Sequence, residues 1–236
     1  MLFLVADCHV TPGSQEEREF REMLEALSRS PHDVVFLGDI LDLWIAIPRY
    51  EETIHREFAE WCRRESARRR IYFLEGNHEF FVQRHRTDCF TQTAEDELLL
   101  DDILFAHGDK IQEGPFGFNR LFLGLCKSWV GLSVLTLMPF GRSFAHFVKR
   151  LMGGNHSRPL ERIVLPLKRM RRWAEHKTRH SHVQQIILGH FHKPAVLEGL
   201  PNGATLRVLP AWKCTRNAAL LTSQRTLDIR DWHHLL

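Results

Sequence analysis

Five short clusters carry the side chains that hold metals and move protons. They are Asp7-Cys8-His9, Gly38-Asp39-Ile40-Leu41-Asp42, Gly76-Asn77-His78-Glu79, His107-Gly108-Asp109 and Gly189-His190-Phe191-His192. Between them they offer Asp7, His9, Asp39, Asn77, His107, His190 and His192, a donor set of oxygen and nitrogen with no thiolate. A single ion in a closed structural site takes about four ligands, so this larger set, with one shared carboxylate, suits two adjacent ions. Mixed carboxylate and imidazole ligation favours Mn2+, Fe2+ or Zn2+ over Ca2+ or Cu+. Two ions roughly 4 Å apart can hold a hydroxide and clamp a phosphoryl group for in-line attack. Each cluster alone reads equally as a turn or a loop. Their recurrence, each behind an apolar strand, points to one site.

The elements that must position them follow from hydrophobic patterning. Short, β-branched apolar runs at Leu2–Ala6, Val34–Leu37, Ile71–Leu74, Ile103–Ala106 and Ile186–Leu188 have the length of buried strands. Phe20, Met23, Leu24 and Leu27 mark one face of a helix from about Glu16, and Ile54, Phe58, Trp61 and Cys62 mark another. Strand alternating with helix predicts a parallel sheet, whose carboxyl ends gather ligands. After Gly189 further strands are expected at Thr205–Leu209, Ala218–Thr222 and Thr226–Ile229.

The segment 117–182 differs. It holds 13 Lys and Arg against Glu161 and Glu175, a local charge of +11 in a chain whose net charge is +3. Leu121 to Phe140 is apolar nearly all round, broken only by Lys127. Its uncharged stretch is shorter than the roughly 20 residues that span a bilayer, which leaves a buried helix or one lying in a membrane interface. Pro159 and Glu161 are expected to open a second helix, kinked at Pro166. The segment reads as a basic, apolar helical insertion (117–182) in a core formed by residues 1–116 and 183–236. A plain solvated face would be less apolar. A nucleic-acid arm would be more polar, so contact with nucleic acid is not expected. The leucine-rich context favours acyl chains or an anionic membrane surface.

Composition excludes other classes. With 236 residues, 44% hydrophobic and 26% charged, the chain is neither disordered nor collagen-like. Its five cysteines form no CxxC pair, which excludes a zinc ribbon. The opening apolar stretch meets Asp7 too soon for a signal peptide, so a cytoplasmic location is expected. Outside the five clusters the histidines read as mostly surface residues. Asp42 and Asp109 read as supports for neighbouring ligands, and Trp44 as either core or substrate wall.

The ordered clusters resemble the signature of the calcineurin-like metallophosphoesterase superfamily: Asp-x-His, Gly-Asp-x-x-Asp, Gly-Asn-His-Glu/Asp, His-Gly-Asp and Gly-His-x-His. The resemblance runs from Asp7 to His192. It implies a four-layer α/β/β/α sandwich with a helical lid and a dinuclear site. Asp7, His9 and His192 would hold one ion, Asn77, His107 and His190 the other, with Asp39 as bridge. His78 would contact the phosphoryl group and stabilise the transition state or protonate the leaving oxygen. Mn2+ is the favoured cofactor, with Fe2+, Zn2+ or Mg2+ as alternatives.

Within the superfamily the chain is similar to the UDP-2,3-diacylglucosamine hydrolases of lipid A synthesis, in length, in Gly38-Asp39-Ile40-Leu41-Asp42-Leu43-Trp44 and in the basic insertion. Best-known members carry Gly-Asn-Arg-Asp where this chain has Gly-Asn-His-Glu, and a Thr/Asp-rich run where it has Lys110-Ile111-Gln112-Glu113-Gly114. The resemblance implies a lipid-linked sugar nucleotide as substrate, at the cytoplasmic face of the inner membrane. Asn77, His78, Trp44, Leu125, Trp129, Leu132, Leu135, Lys149 and Arg150 are the expected substrate contacts. The alternative is a phosphoesterase for another soluble or nucleic-acid phosphodiester or phosphomonoester, with the basic segment gripping phosphate.

Overall fold

A computed structural model describes residues 1–112, 121, 124–137 and 160–236. Lys149 and Arg150 lie outside the described residues, as does Pro159.

The first sheet contains β1 (Leu2–Val5), β2 (Asp33–Leu37), β4 (Ile71–Leu74), β6 (Gln92–Ala94), β12 (Asn217–Leu221) and β13 (Leu227–Asp231), in the order β13-β12-β1-β2-β4-β6. β1, β2, β4 and β6 are parallel, and β12 joins β1 antiparallel. The second sheet runs β10 (Ala195–Leu197), β11 (Thr205–Val208), β9 (Gln185–Leu188), β8 (Ile103–Ala106) and β7 (Glu97–Leu100). Its centre, β11-β9-β8, is parallel with antiparallel edges. A two-stranded piece pairs β3 (Trp44–Ile45) with β5 (Glu79–Phe80).

Strand alternation sorts the core into layers. In the first sheet Phe3, Val5, Val34, Phe36, Ile71 and Phe73 face helices α1 (Gln15–Arg29) and α2 (Thr53–Ser66). Their neighbours Leu4, Ala6, Val35, Leu37 and Leu74 meet Leu98, Phe105 and Ile187 of the second sheet. The far face of the second sheet, Leu104, Ala106, Ile186, Leu188 and Leu206, packs on Met170 and Ala174 of a helix at Leu167–Thr178. That order is helix, sheet, sheet, helix, the four layers expected. Strands buried on both faces have no polar side, which explains their unbroken apolar runs.

α1 starts where Ser14 Oγ accepts the Glu17 amide at 3.2 Å, with Glu16 and Glu17 in its first turn and Arg29 in its last. His55, expected at the surface, is buried at the start of α2. Its Nδ1 accepts the Glu52 amide at 3.0 Å, so Nε2–H donates to Leu43 O at 2.9 Å.

Two shorter helices follow, α3 (Val82–His85) and α4 (Asp109–Gln112), then α5 (Trp129–Leu137) and α6 (Leu167–Thr178). The expected kinked helix is absent from the described residues. A single 3-10 turn at Leu160–Arg162 is followed by non-helical residues, and α6 begins directly after Pro166. Proline cannot donate to the preceding turn, and its ring clashes there, so it opens a helix instead of bending one. Because Met170 and Ala174 are buried in the core, this end of the basic segment is a layer of the sandwich.

Candidate metal centre

Asp7 follows β1, Asp39 follows β2 and Asn77 follows β4, all from the first sheet; His107 follows β8 and His190 follows β9 of the second. The carboxyl ends of both sheets therefore open on one point. Backbone bonds carry the pairing past the strands: Asp7 N–H to Gly38 O at 3.1 Å and His9 N–H to Asp39 O at 2.9 Å. The sheets are joined where the His190 amide donates to the Asp7 carboxylate at 2.8 Å.

Asp7, His9, Asp39, His190 and His192 all have left-handed backbone, with φ between 41° and 65°. Few non-glycine residues adopt it, and such strain gathers at functional sites. Gly38 and Gly76 are required for a different reason. A Cβ on Gly38 would lie 2.5 Å from His107 Nδ1, and one on Gly76 would run into Asp39.

Two donor groups result. Ligand atoms of Asp7, His9 and His192 lie within 4.8 Å of one another, as do those of Asp39, His107 and His190. Asp39 Oδ2 is 3.6 Å from His9 Nε2 and 3.3 Å from His107 Nε2, between the two groups. Ring tautomers are set from behind. His107 Nδ1–H donates to Leu37 O at 3.0 Å, leaving Nε2 with its lone pair. His190 Nε2–H donates to Gln112 Oε1 at 2.5 Å, leaving Nδ1 as donor atom. Asn77 Oδ1 is buried with no hydrogen-bond partner among the described residues.

The electrostatics ask for positive charge. Burial opposes charge on His107, yet Asp39, Asp7 and Asp109 push its pKa up to about 10. Burial and His107 together push His190 down to about 4. Burial would raise Asp39, but the imidazoles of His107, His78 and His9 hold it well below the usual carboxylate range. A buried centre that keeps Asp39 ionised and His190 neutral, with an unpartnered amide oxygen beside them, fits divalent cations with neutral imidazole ligands.

His78 lies beside this centre. Its amide donates to Asp39 Oδ1 at 2.9 Å, its Nδ1–H donates to Asp42 O, and its ring meets His9 edge-on at 4.8 Å. Ligand atoms of His9, Asp42 and His78 form a third group within 4.8 Å of one another.

The expected substrate contacts divide. Trp44 is a correction: it is fully buried between Phe58 and Phe73, with its indole N–H on Glu51 at 2.9 Å, and walls no cavity. Leu135 is buried among Ile45, Ile47, Tyr50, Phe80 and Phe81, with Leu132 packed beside it; it anchors α5 instead of facing outward. Leu125 and Trp129 are exposed, Trp129 by 71%.

Two supporting residues had no assigned role. Glu79 is buried and accepts the amides of Asp39, Ile40 and Gly76, each at 2.8 Å. Burial and the Asp39 charge push its pKa up to about 8. Gln112 orients His190, and its own carbonyl is held by Arg169 at 2.5 Å. Partners of this kind typically govern metal affinity by 10–100-fold. Gln112→Ala is therefore expected to weaken Mn2+ binding roughly tenfold in calorimetry; unchanged affinity would remove Gln112 from the site.

The sandwich and its paired donor groups define a metal-dependent phosphoesterase, with a two-ion centre. Residues 2–194 match the calcineurin-like phosphoesterase family, and the chain belongs to it. The UDP-2,3-diacylglucosamine hydrolase of Chromohalobacter salexigens is 26% identical over 223 residues, covering 89% of this chain and 88% of that protein. The enzyme of the same name from Salmonella arizonae is 28% identical over 221 residues, covering 88% and 89%.

Proposed function

We propose that the protein hydrolyses the pyrophosphate bond of UDP-2,3-diacylglucosamine, or a close lipid-linked sugar nucleotide, releasing UMP and the acylated sugar phosphate. One observation carries the reading beyond phosphoester hydrolysis in general. Leu121, Leu125, Trp129, Val130, Val134 and Leu137 stand exposed in the segment whose Lys127 donates to Gly76 O at 2.8 Å, one residue before Asn77. An apolar surface thus adjoins the phosphate chemistry. Each acyl methylene buried there contributes about 0.8 kcal/mol.

Asp7, His9 and His192 would hold one ion and Asn77, His107 and His190 the other, with Asp39 shared. Mn2+ is favoured by the donor set. The ions supply Lewis acidity toward the phosphoryl oxygens and lower the pKa of water. His78, fixed through its amide and Nδ1, contacts the phosphoryl group and gives a proton or hydrogen bond to the departing phosphate oxygen. No helix among the described residues is long and apolar enough to cross a membrane. Exposed Lys168, Arg169 and Arg172 on α6, with Lys149 and Arg150 in sequence, suit attachment to an anionic bilayer from the cytoplasmic side.

The test is incubation of the Mn2+-loaded protein with UDP-2,3-diacylglucosamine, with detection of UMP. In the double variant Leu125→Asp/Trp129→Asp, KM for the acylated nucleotide is expected to rise by at least tenfold. A small chromogenic phosphodiester should be cleaved as before. Equal loss on both substrates in a folded variant would make the apolar row structural, and cleavage of the small diester without release of UMP would leave only the phosphoesterase.

A further inference from the structure

Lys127 is the single charged residue between Leu121 and Leu137. An isolated lysine in so apolar a stretch would be expected to turn its ammonium to water. Instead the side chain is only 20% exposed, and its Nζ lies 3.5 Å from Oε2 of the buried Glu75. The ammonium donates to Gly76 O at 2.8 Å and lies 5.5 Å from the Phe80 ring centroid. Glu75 is held in turn by the Gln83 amide at 2.7 Å. One side chain from outside the sheets therefore engages three residues that bracket Asn77 and His78.

The Gly76 contact has a geometric consequence. Gly76 C=O and Asn77 N–H belong to the same planar peptide unit. On the other side, the Gly76 amide donates to Glu79 at 2.8 Å. With the carbonyl held by Lys127, rotation of that plane is restrained, and with it the direction in which the Asn77 side chain leaves the backbone. The next amide, of His78, donates to Asp39 at 2.9 Å, so the restraint passes to the shared carboxylate.

We propose that Lys127 is a positioning residue for the metal centre: by pinning the Gly76 carbonyl beside buried Glu75, it aims Asn77 at its ion and couples the apolar α5 segment to the chemistry. The inference rests on the phosphoesterase chemistry of the family and is independent of the substrate proposed above.

Lys127→Met retains the aliphatic stem and removes the ammonium. Calorimetric titration of the metal-free protein with Mn2+ should then show one of two sites weakened 10–100-fold, with the site of Asp7, His9 and His192 unchanged. Amide exchange should accelerate at Asn77 and His78 but not in β8 or β9, and kcat for a small chromogenic phosphodiester should fall and be partly recovered by excess Mn2+. Lys127→Arg, which keeps a donor, should restore most of each. Should Lys127→Met fail to fold with Glu75 unpaired, Lys127→Met/Glu75→Met removes both charges and is expected to show the same weakened site. Wild-type Mn2+ affinity and exchange in whichever variant folds would overturn the proposal. A change confined to KM for an acylated nucleotide would overturn it too, because Lys127 would then act on substrate alone.

Discussion

Asp39→Ala is expected to lose more than about 10³-fold in phosphodiester hydrolysis, beyond the loss of a single electrostatic donor, whichever divalent ion is supplied. Its carboxylate stands between the two imidazole groups, 3.6 Å from His9 Nε2 and 3.3 Å from His107 Nε2, and its other oxygen holds the His78 amide. Loss of this one group therefore weakens both ion sites and releases the loop between them. Chelation of the unmutated protein should mimic the variant and Mn2+ should reverse it. Metal analysis beside a chromogenic assay is sufficient, and an active Asp39→Ala protein, or activity in chelator, would end the two-ion account.

His78→Ala should separate metal from rate. The seven donors are complete without His78, so bound metal should remain while kcat drops by roughly 10²–10⁴-fold, the range for a lost proton donor. The amide bond to Asp39 survives the substitution, which protects the bridge. Metal content and turnover measured on one preparation decide the matter: parallel loss of both would make His78 a ligand.

Why so much of this was readable lies in burial. β1, β2, β4, β8 and β9 are covered on both faces, so each appears in the sequence as an unbroken apolar run ending in its polar donors. β3 and β5, two residues each, and the edge strand β6 are too short or too polar to leave such a trace. The all-round apolar helix failed in the opposite way. With no polar face, nothing distinguished Leu135, which is 5% exposed, from Leu137, which is 82% exposed. Trp44 had no directional signal either, since what buries it is packing against Phe58 and Phe73, 14 and 29 residues away, with Glu51 taking its indole N–H. Lys127 stood out as an anomaly, but its target Gly76 is 51 residues earlier and left no local mark. Gln112 reaches a histidine 78 residues away and had no pattern at all.

The place of β1 in its sheet constrains how the molecule is made. The strand carrying Asp7 has β2 on one side and β12 on the other, and Asp7 meets its partners His190 and His192 across 183 and 185 residues of chain. On a ribosome, β1 would leave the exit tunnel before the strands that flank it and keep one edge open until residues 217–221 had been made. Contacts of such sequence separation form late, and an uncovered strand edge is what pairs wrongly in the interval. With the donors proposed above, a nascent chain halted before residue 190 lacks one donor of each group, His192 of the first and His190 of the second, so metal loading is expected to be a late event.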